Sequence, residues 1–192
     1  MHVLLDKIDL KRDLHFADGI LDVLNHASDN ALYGSKIGID ATTKVFGEPG
    51  YGEKIRQAAA HPFDLPASIS KKFSQVKACR LLEKQSNLPV MLVALEKTKP
   101  HQGKEFIQSV FNTPEFSAIS VLVILESHED VKNNSTVAWK LLNNLDPRRD
   151  CHFIGDRLGI DITRKLPDEG YNQKWPDEIC MSPAIKARID QK

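Results

Sequence analysis

From residue 88 to 153, apolar runs of strand length alternate with stretches of helical period, the pattern of successive βαβ units. The run Leu88-Pro89-Val90-Met91-Leu92-Val93-Ala94-Leu95 is apolar throughout, which predicts a strand buried on both faces of a parallel sheet. Phe106, Ile107, Val110 and Phe111 then fall on one stripe of a helix over 103–111, closed by Asn112-Thr113-Pro114. A second buried strand is expected over 118–125. Asn133-Asn134-Ser135 supply caps for a helix whose stripe is Val137, Ala138, Leu141, Leu142 and Leu145, and Asp146-Pro147 ends it. The third strand lies in 151–154 or in 158–162. Because each crossover is long enough for a helix, the three strands should run parallel with right-handed connections. Upstream, 74–86 reads as one more helix, and the stretch around Pro62 and Pro66 as a loop. Ser182-Pro183-Ala184 starts a short C-terminal helix, with Ser as its cap and Pro in its first position. The expected fold is a single three-layer α/β domain over 1–192, with a mainly parallel sheet and a βαβαβ core.

Two distant segments also repeat each other. Arg12-Asp13-Leu14-His15-Phe16 matches Arg149-Asp150-Cys151-His152-Phe153, and Ile37-Gly38-Ile39-Asp40-Ala41-Thr42-Thr43-Lys44 matches Leu158-Gly159-Ile160-Asp161-Ile162-Thr163-Arg164-Lys165. Each copy then reaches a Gly-Tyr pair, at 50–51 and 170–171. The same order in both places points to an internal duplication, with blocks at 12–51 and 149–171, and residues 17–35 stand as an insertion in the first copy. Gly38 and Gly159 are expected to permit a turn or a close backbone approach, and Asp40 and Asp161 to accept hydrogen bonds from nearby amides. Lys44 or Lys165 can hold an anion, or simply line a solvated edge.

Charge narrows the functional classes. Among 192 residues, 26 Lys and Arg balance 26 Asp and Glu, so the formal net charge is zero. Neither a nucleic acid nor an anionic lipid surface is an expected partner, because binding either through bulk electrostatics calls for a basic excess. The longest apolar runs fall short of the roughly 20 residues that span a bilayer. Met1-His2-Val3-Leu4-Leu5-Asp6-Lys7 does not read as a signal peptide. Three cysteines, Cys79, Cys151 and Cys180, are too few and too scattered for a disulfide framework, so the expected compartment is the reducing cytoplasm.

Candidate chemistry collects where the apolar strands end, since ligands of open α/β sheets bind beyond the carboxyl ends of the strands. Glu96, Lys97, Lys99 and His101 follow one strand; Glu126, His128, Glu129 and Asp130 follow the next. Glu96, His101, Glu126 and His128 form a candidate metal or acid/base cluster, although loops collect polar residues anyway and no His-Glu-x-x-His spacing occurs. Gly34-Ser35-Lys36 lacks the spacing of a phosphate-binding loop. Cys151, beside Arg148, Arg149 and His152, has the neighbours that suit a thiolate, and its place in a strand suits a small core residue. Trp175, Tyr171 and Met181 gather in a stretch without helical or strand period, and Trp139 lies off its helix stripe. Such residues mark interface centres, and a homo-oligomer is expected.

Leu21-Asp22-Val23-Leu24-Asn25-His26-Ala27-Ser28, followed by Tyr33-Gly34-Ser35-Lys36 and the Gly-Ile-Asp-Ala-Thr-Thr-Lys of 38–44, resembles the C-terminal domain of the UbiD family of aromatic-acid decarboxylases. So does Leu145-Asp146-Pro147-Arg148-Arg149-Asp150, with 159–165 and the stretch from Glu169 to Trp175-Pro176. The resemblance implies an assembly-forming domain that helps to close the active-site cleft of a carboxy-lyase. It implies that prenylated FMN, its divalent metal and the catalytic Glu-Arg-Glu trio belong to a separate N-terminal domain, which nothing in this chain matches. No catalytic, cofactor-binding or metal residue is therefore assigned here, and the implied partner is a catalytic UbiD-like domain in cis or in trans. The rival reading is an independent small enzyme or metal-binding domain built on the strand-end cluster.

Overall fold

The computed structural model describes residues 7–53, 64–82, 87–178 and 181–191. In chain order the elements are β1 (Leu14–Ile20), β2 (Tyr33–Ile39), α1 (Leu65–Lys72), β3 (Val76–Leu82), β4 (Val90–Leu95), α2 (Gln102–Phe111), β5 (Val121–Glu126), α3 (Asn134–Asn144), α4 (Pro147–Asp150), β6 (Cys151–Ile154), β7 (Arg157–Asp161) and α5 (Pro183–Asp190). Strands β3 to β7 form one five-stranded sheet in the order β3-β4-β5-β7-β6. Its three central strands run parallel, and both edges are antiparallel.

Every residue of β4 is buried, as an uninterrupted apolar run between two layers requires. Met91, Val93 and Leu95 face one core with Leu65, Ile69, Phe106, Ile107, Leu122 and Ile124; Leu92 and Ala94 face the other with Val123, Leu125, Val137, Leu158, Ile160 and Ile162. Alternate residues of one strand thus serve opposite layers, α1 and α2 on one side and α3 on the other. The α/β class and the three-layer arrangement expected from the sequence are those of the structure. Among the described residues no helix is long and apolar enough to cross a membrane.

Three local expectations are corrected. The described part of the segment read as a helix over 74–86 forms β3, an antiparallel edge strand on β4. Pro66 lies in the first turn of α1, where its missing N–H costs nothing, and Asp64 caps that helix by accepting from the Ala67 N–H; Pro62 lies outside the described residues. Leu142 projects into solvent at 79% exposure, and Lys140 and Asn144 are the buried polar residues of α3. The two positions offered for the third strand are both strands. They form the hairpin β6–β7, with β7 parallel to β5.

Strands β1 and β2 form a separate antiparallel hairpin against the layer of α3 and α4. It pairs Leu14 with Ile39, His15 with Gly38 and Phe16 with Ile37. Hairpin β6–β7 pairs Cys151 with Ile160, His152 with Gly159 and Phe153 with Leu158.

Candidate functional site

The strand ends beyond β4 and β7 converge on a buried network of charges. Lys97 lies two residues beyond the end of β4, after Glu96, and its side chain has no solvent exposure. Its ammonium lies 2.6 Å from Glu169 Oε2 and 4.0 Å from Asp161 Oδ2, and donates to Thr163 Oγ1 at 3.1 Å and to the Arg164 carbonyl at 2.9 Å. Lys165 Nζ donates to the Asp161 carbonyl at 2.7 Å and stands 3.1 Å from Asp150 Oδ1. Arg149 grips Asp150 through two parallel bonds of 2.7 and 2.8 Å and donates to the Ala27 carbonyl at 2.8 Å. Glu169 accepts from the backbone N–H groups of His101 at 2.8 Å and Leu166 at 2.6 Å.

Lys97, Lys165 and Arg149 thus balance Asp150, Asp161 and Glu169. Burial pushes the Asp161 carboxyl up, but Lys165, Lys97 and the Thr163 hydrogen bonds outweigh it and hold the group below its ordinary value. Buried charges persist when paired and hydrogen-bonded, and that condition is met at each of the six. The network neutralises itself, three cations against three carboxylates.

The residues of the expected cluster do not converge. Glu96 pairs at the surface with Lys77, 2.8 Å away, and Glu126 accepts the Arg164 N–H at 2.6 Å. His101 caps α2 in the left-handed conformation, φ 60°. Among the described residues, His128 alone of the four joins a group of candidate ligands, and its companions are Glu129 and Glu178 rather than the three expected. Lys140 stands inside that group, in contact with Glu178 and 2.8 Å from Glu129 Oε1, a buried oxygen on which no hydrogen is aligned. An ammonium between the two carboxylates repels a divalent ion by Coulomb's law, so the group reads as an ion-pair cluster.

Burial pushes the Cys151 thiol up to about 12, which disqualifies it as a nucleophile at neutral pH. Cys79 and Cys151 are both free thiols. Ser35 of the Gly-Ser-Lys sequence contacts Asp146 and accepts the Arg148 N–H at 2.9 Å, so it clamps β2 to α4. Beside this clamp lies a cleft of about 310 Å³ lined by Asp18, Asp29, Asp146, Arg148 and Arg149. Arg148 is paired with Asp18 at 2.7 Å, and Arg149 is held as described. Three carboxylates and two engaged guanidinium groups do not suit the phosphate of a flavin nucleotide. Among the described residues, prenylated FMN finds no fitting site in this cleft.

Of the three interface candidates, Tyr171 is buried and donates to the His26 carbonyl at 3.0 Å. Trp175 is half-buried, with its ring edge-on to His26 and Tyr171 at 5.4 and 4.9 Å. Met181 is exposed. Sequence reasoning named Lys97 only as a strand-end residue and missed its role. The signal was its position: two residues beyond a doubly buried strand, a lysine must either reach solvent or find internal partners. Glu169, Lys140 and Glu178 carried no comparable signal.

A family model described as the 3-octaprenyl-4-hydroxybenzoate carboxy-lyase C-terminal domain matches residues 57–175. An uncharacterised protein of Helicobacter pylori is 26% identical over 184 residues, 95% of this chain and 28% of its own length. One of Archaeoglobus fulgidus is 27% identical over 128 residues, 54% of this chain and 27% of its own length. The chain spans little more than a quarter of these relatives. The vanillic acid decarboxylase of Sedimentibacter hydroxybenzoicus, in open form, superposes with a TM-score of 0.54 at 13% identity, over 66% of this chain and 30% of its own. The UbiD-class enzyme HmfF of Pelotomaculum thermopropionicum, in complex with prFMN, gives 0.50 at 20% identity over 63% and 26%. At these identities the likeness is one of α/β fold.

Proposed function

The chain belongs to the 3-octaprenyl-4-hydroxybenzoate carboxy-lyase C-terminal domain family, and from that membership we propose that it is the assembly and cleft-closing domain of a UbiD-type decarboxylase, silent on its own. The observation that carries this reading is the self-neutralised network at the carboxyl ends of β4 and β7. In an open α/β sheet this is where reacting groups would be sought, and here Lys97, Lys165 and Arg149 are held by Asp150, Asp161 and Glu169. The network fixes the geometry of the loops around 97–101 and 162–171 and presents them as a rigid surface. Flavin chemistry would be supplied by another domain, and the chain's small share of its relatives' length supports such a division of labour.

The test is direct. The purified chain, supplied with prenylated FMN, is expected to retain no flavin through gel filtration and to release no carbon dioxide from 4-hydroxybenzoate-type acids. A retained yellow chromophore, or carbon dioxide above a buffer control, overturns the assignment.

A further inference from the structure

The two hairpins match in register, and they also carry the same charge cage. Arg12 grips Asp13 at 2.8 and 2.9 Å, as Arg149 grips Asp150 at 2.7 and 2.8 Å. Lys44 lies 3.2 Å from Asp13, and Lys165 lies 3.1 Å from Asp150. Asp40 accepts the Thr42 N–H at 3.0 Å and its hydroxyl at 2.6 Å, the same distances at which Asp161 receives Thr163. Glu48 accepts the Val45 N–H, and Glu169 that of Leu166.

What differs is the cover. Strand β5 pairs with the outer edge of β7, where the Leu158 and Ile162 N–H groups donate to Ser120 and Ile124 carbonyls. Helix α2 lies on the β7 face so closely that a Cβ on Gly159 would meet Ile107 at 2.3 Å, and one on Gly103 would meet Asp161 at 2.0 Å. Lys97 supplies the third cation.

The first hairpin has none of these partners among the described residues. A Cβ on Gly38 would meet nothing nearer than the His15 carbonyl at 3.9 Å. Ile39 is 47% exposed where Ile160 is 9%, and Tyr51 is 55% exposed where Tyr171 is 6%. Asp40 donates its N–H inward to the Asp13 carbonyl, so by antiparallel alternation the N–H groups of Ile37, Ile39 and Ala41 point to the outer edge of β2. No described strand pairs with that edge. Among the described residues, Arg12 and Lys44 pair with Asp13 and Asp40, and Glu48 accepts only the Val45 N–H, where the counterpart carboxylate Glu169 has the ammonium of Lys97.

We infer that the β1–β2 hairpin is a docking face for a strand–helix unit from another part of the decarboxylase. The incoming unit has three features, each set by the covered copy. An apolar strand runs parallel to β2 on its outer edge, a helix brings a small residue of its first turn against Asp40, and a lysine ammonium reaches Asp40 and Glu48. Edge addition of this kind draws its affinity from main-chain hydrogen bonds and its specificity from the fit of side chains. The inference rests on the reading of the chain as one domain of a larger assembly.

Amide hydrogen exchange tests it, with the isolated chain compared against the assembled decarboxylase. Ile37, Ile39 and Ala41 should exchange quickly in the isolated chain and at least roughly tenfold more slowly in the assembly, while Ile160 and Ile162 are protected in both. Gly38→Val should leave the melting temperature of the isolated chain unchanged and return the β2 amides of the assembly to the fast rate. Equal exchange of β2 in both states overturns the docking. Protection that arises in the isolated chain as it dimerises also overturns it, in favour of a second copy as occupant. Carbon dioxide release reads the functional assignment separately: an active assembly with fast β2 amides refutes the docking alone, and a silent assembly with protected β2 refutes the function and supports the docking.

Discussion

At the scale of single residues the buried ion pairs dominate, because removing one partner leaves a desolvated charge while removing a surface partner leaves a solvated one. Lys97→Met would strand Glu169 and Asp161 without their shared cation, and about 3–5 kcal/mol of stability should be lost. Lys99, paired with Glu105 in solvent, should cost less than about 1 kcal/mol when replaced by Met. Urea denaturation of the two variants checks the contrast, and equal losses would show that the network is not the buried support described.

Asp13 adds a pH dependence. Its hydrogen bonds from Arg12 outweigh burial and hold its carboxyl at about 2, below the 3.8 of a free side chain. A depressed carboxylate contributes stability that is complete above the unfolded value and is lost as pH falls through the folded one. The loss therefore belongs between about pH 4 and 2, amounts to about 2 kcal/mol, and should vanish from the unfolding free energy of Asp13→Asn. Much of this was legible beforehand: Asp40 and Asp161 are expected to accept hydrogen bonds from nearby amides, and the Thr42 and Thr163 N–H groups donate to them. The local sequence does not reveal that Lys165 is buried, because that depends on how α4, which brings Asp150, packs beside β7.

At the scale of elements, legibility followed the amount of apolar pattern. Strands β4 and β5 and helices α2 and α3 were readable because continuous runs and 3.6-residue stripes have few alternative interpretations. Strand β3 was not: Lys77, Arg80 and Leu81 are good helix formers, and only pairing with β4 makes the segment extended. The same dependence on neighbours gives a sharp comparison between glycines. Gly159→Ala drives a methyl into Ile107 and should cost about 1–3 kcal/mol, whereas Gly38→Ala meets open space and should leave the isolated chain's melting temperature unchanged. A harmless Gly159→Ala would mean that α2 stands further from β7 than the structure places it.

At the scale of the whole molecule, the question is which apolar surface remains after the chain has folded on itself. Trp175 and Tyr171 hold the 171–175 segment against the loop of His26, and Asn172 and Gln173 add bonds to Asp29. Apart from the exposed side chains of the β1–β2 hairpin and its loops, the exposed apolar residues include Trp139 and Leu142 on α3, Met181, and Ile185 and Ile189 one turn apart on α5, a helix with no buried residue. Zero net charge removes the mutual repulsion that would keep two copies apart. Sedimentation equilibrium at roughly tens of micromolar protein should therefore give a dimer or larger species, with the association carried by these residues. Ile185→Asp with Ile189→Asp should return the monomer mass without lowering the melting temperature, since neither side chain supports the core. Trp175→Ala should do the reverse, lowering stability by about 2 kcal/mol through lost burial while the mass stays unchanged. A monomer in the unmodified chain would refute self-association, and a monomer produced by Trp175→Ala alone would place the tryptophan at the interface centre instead.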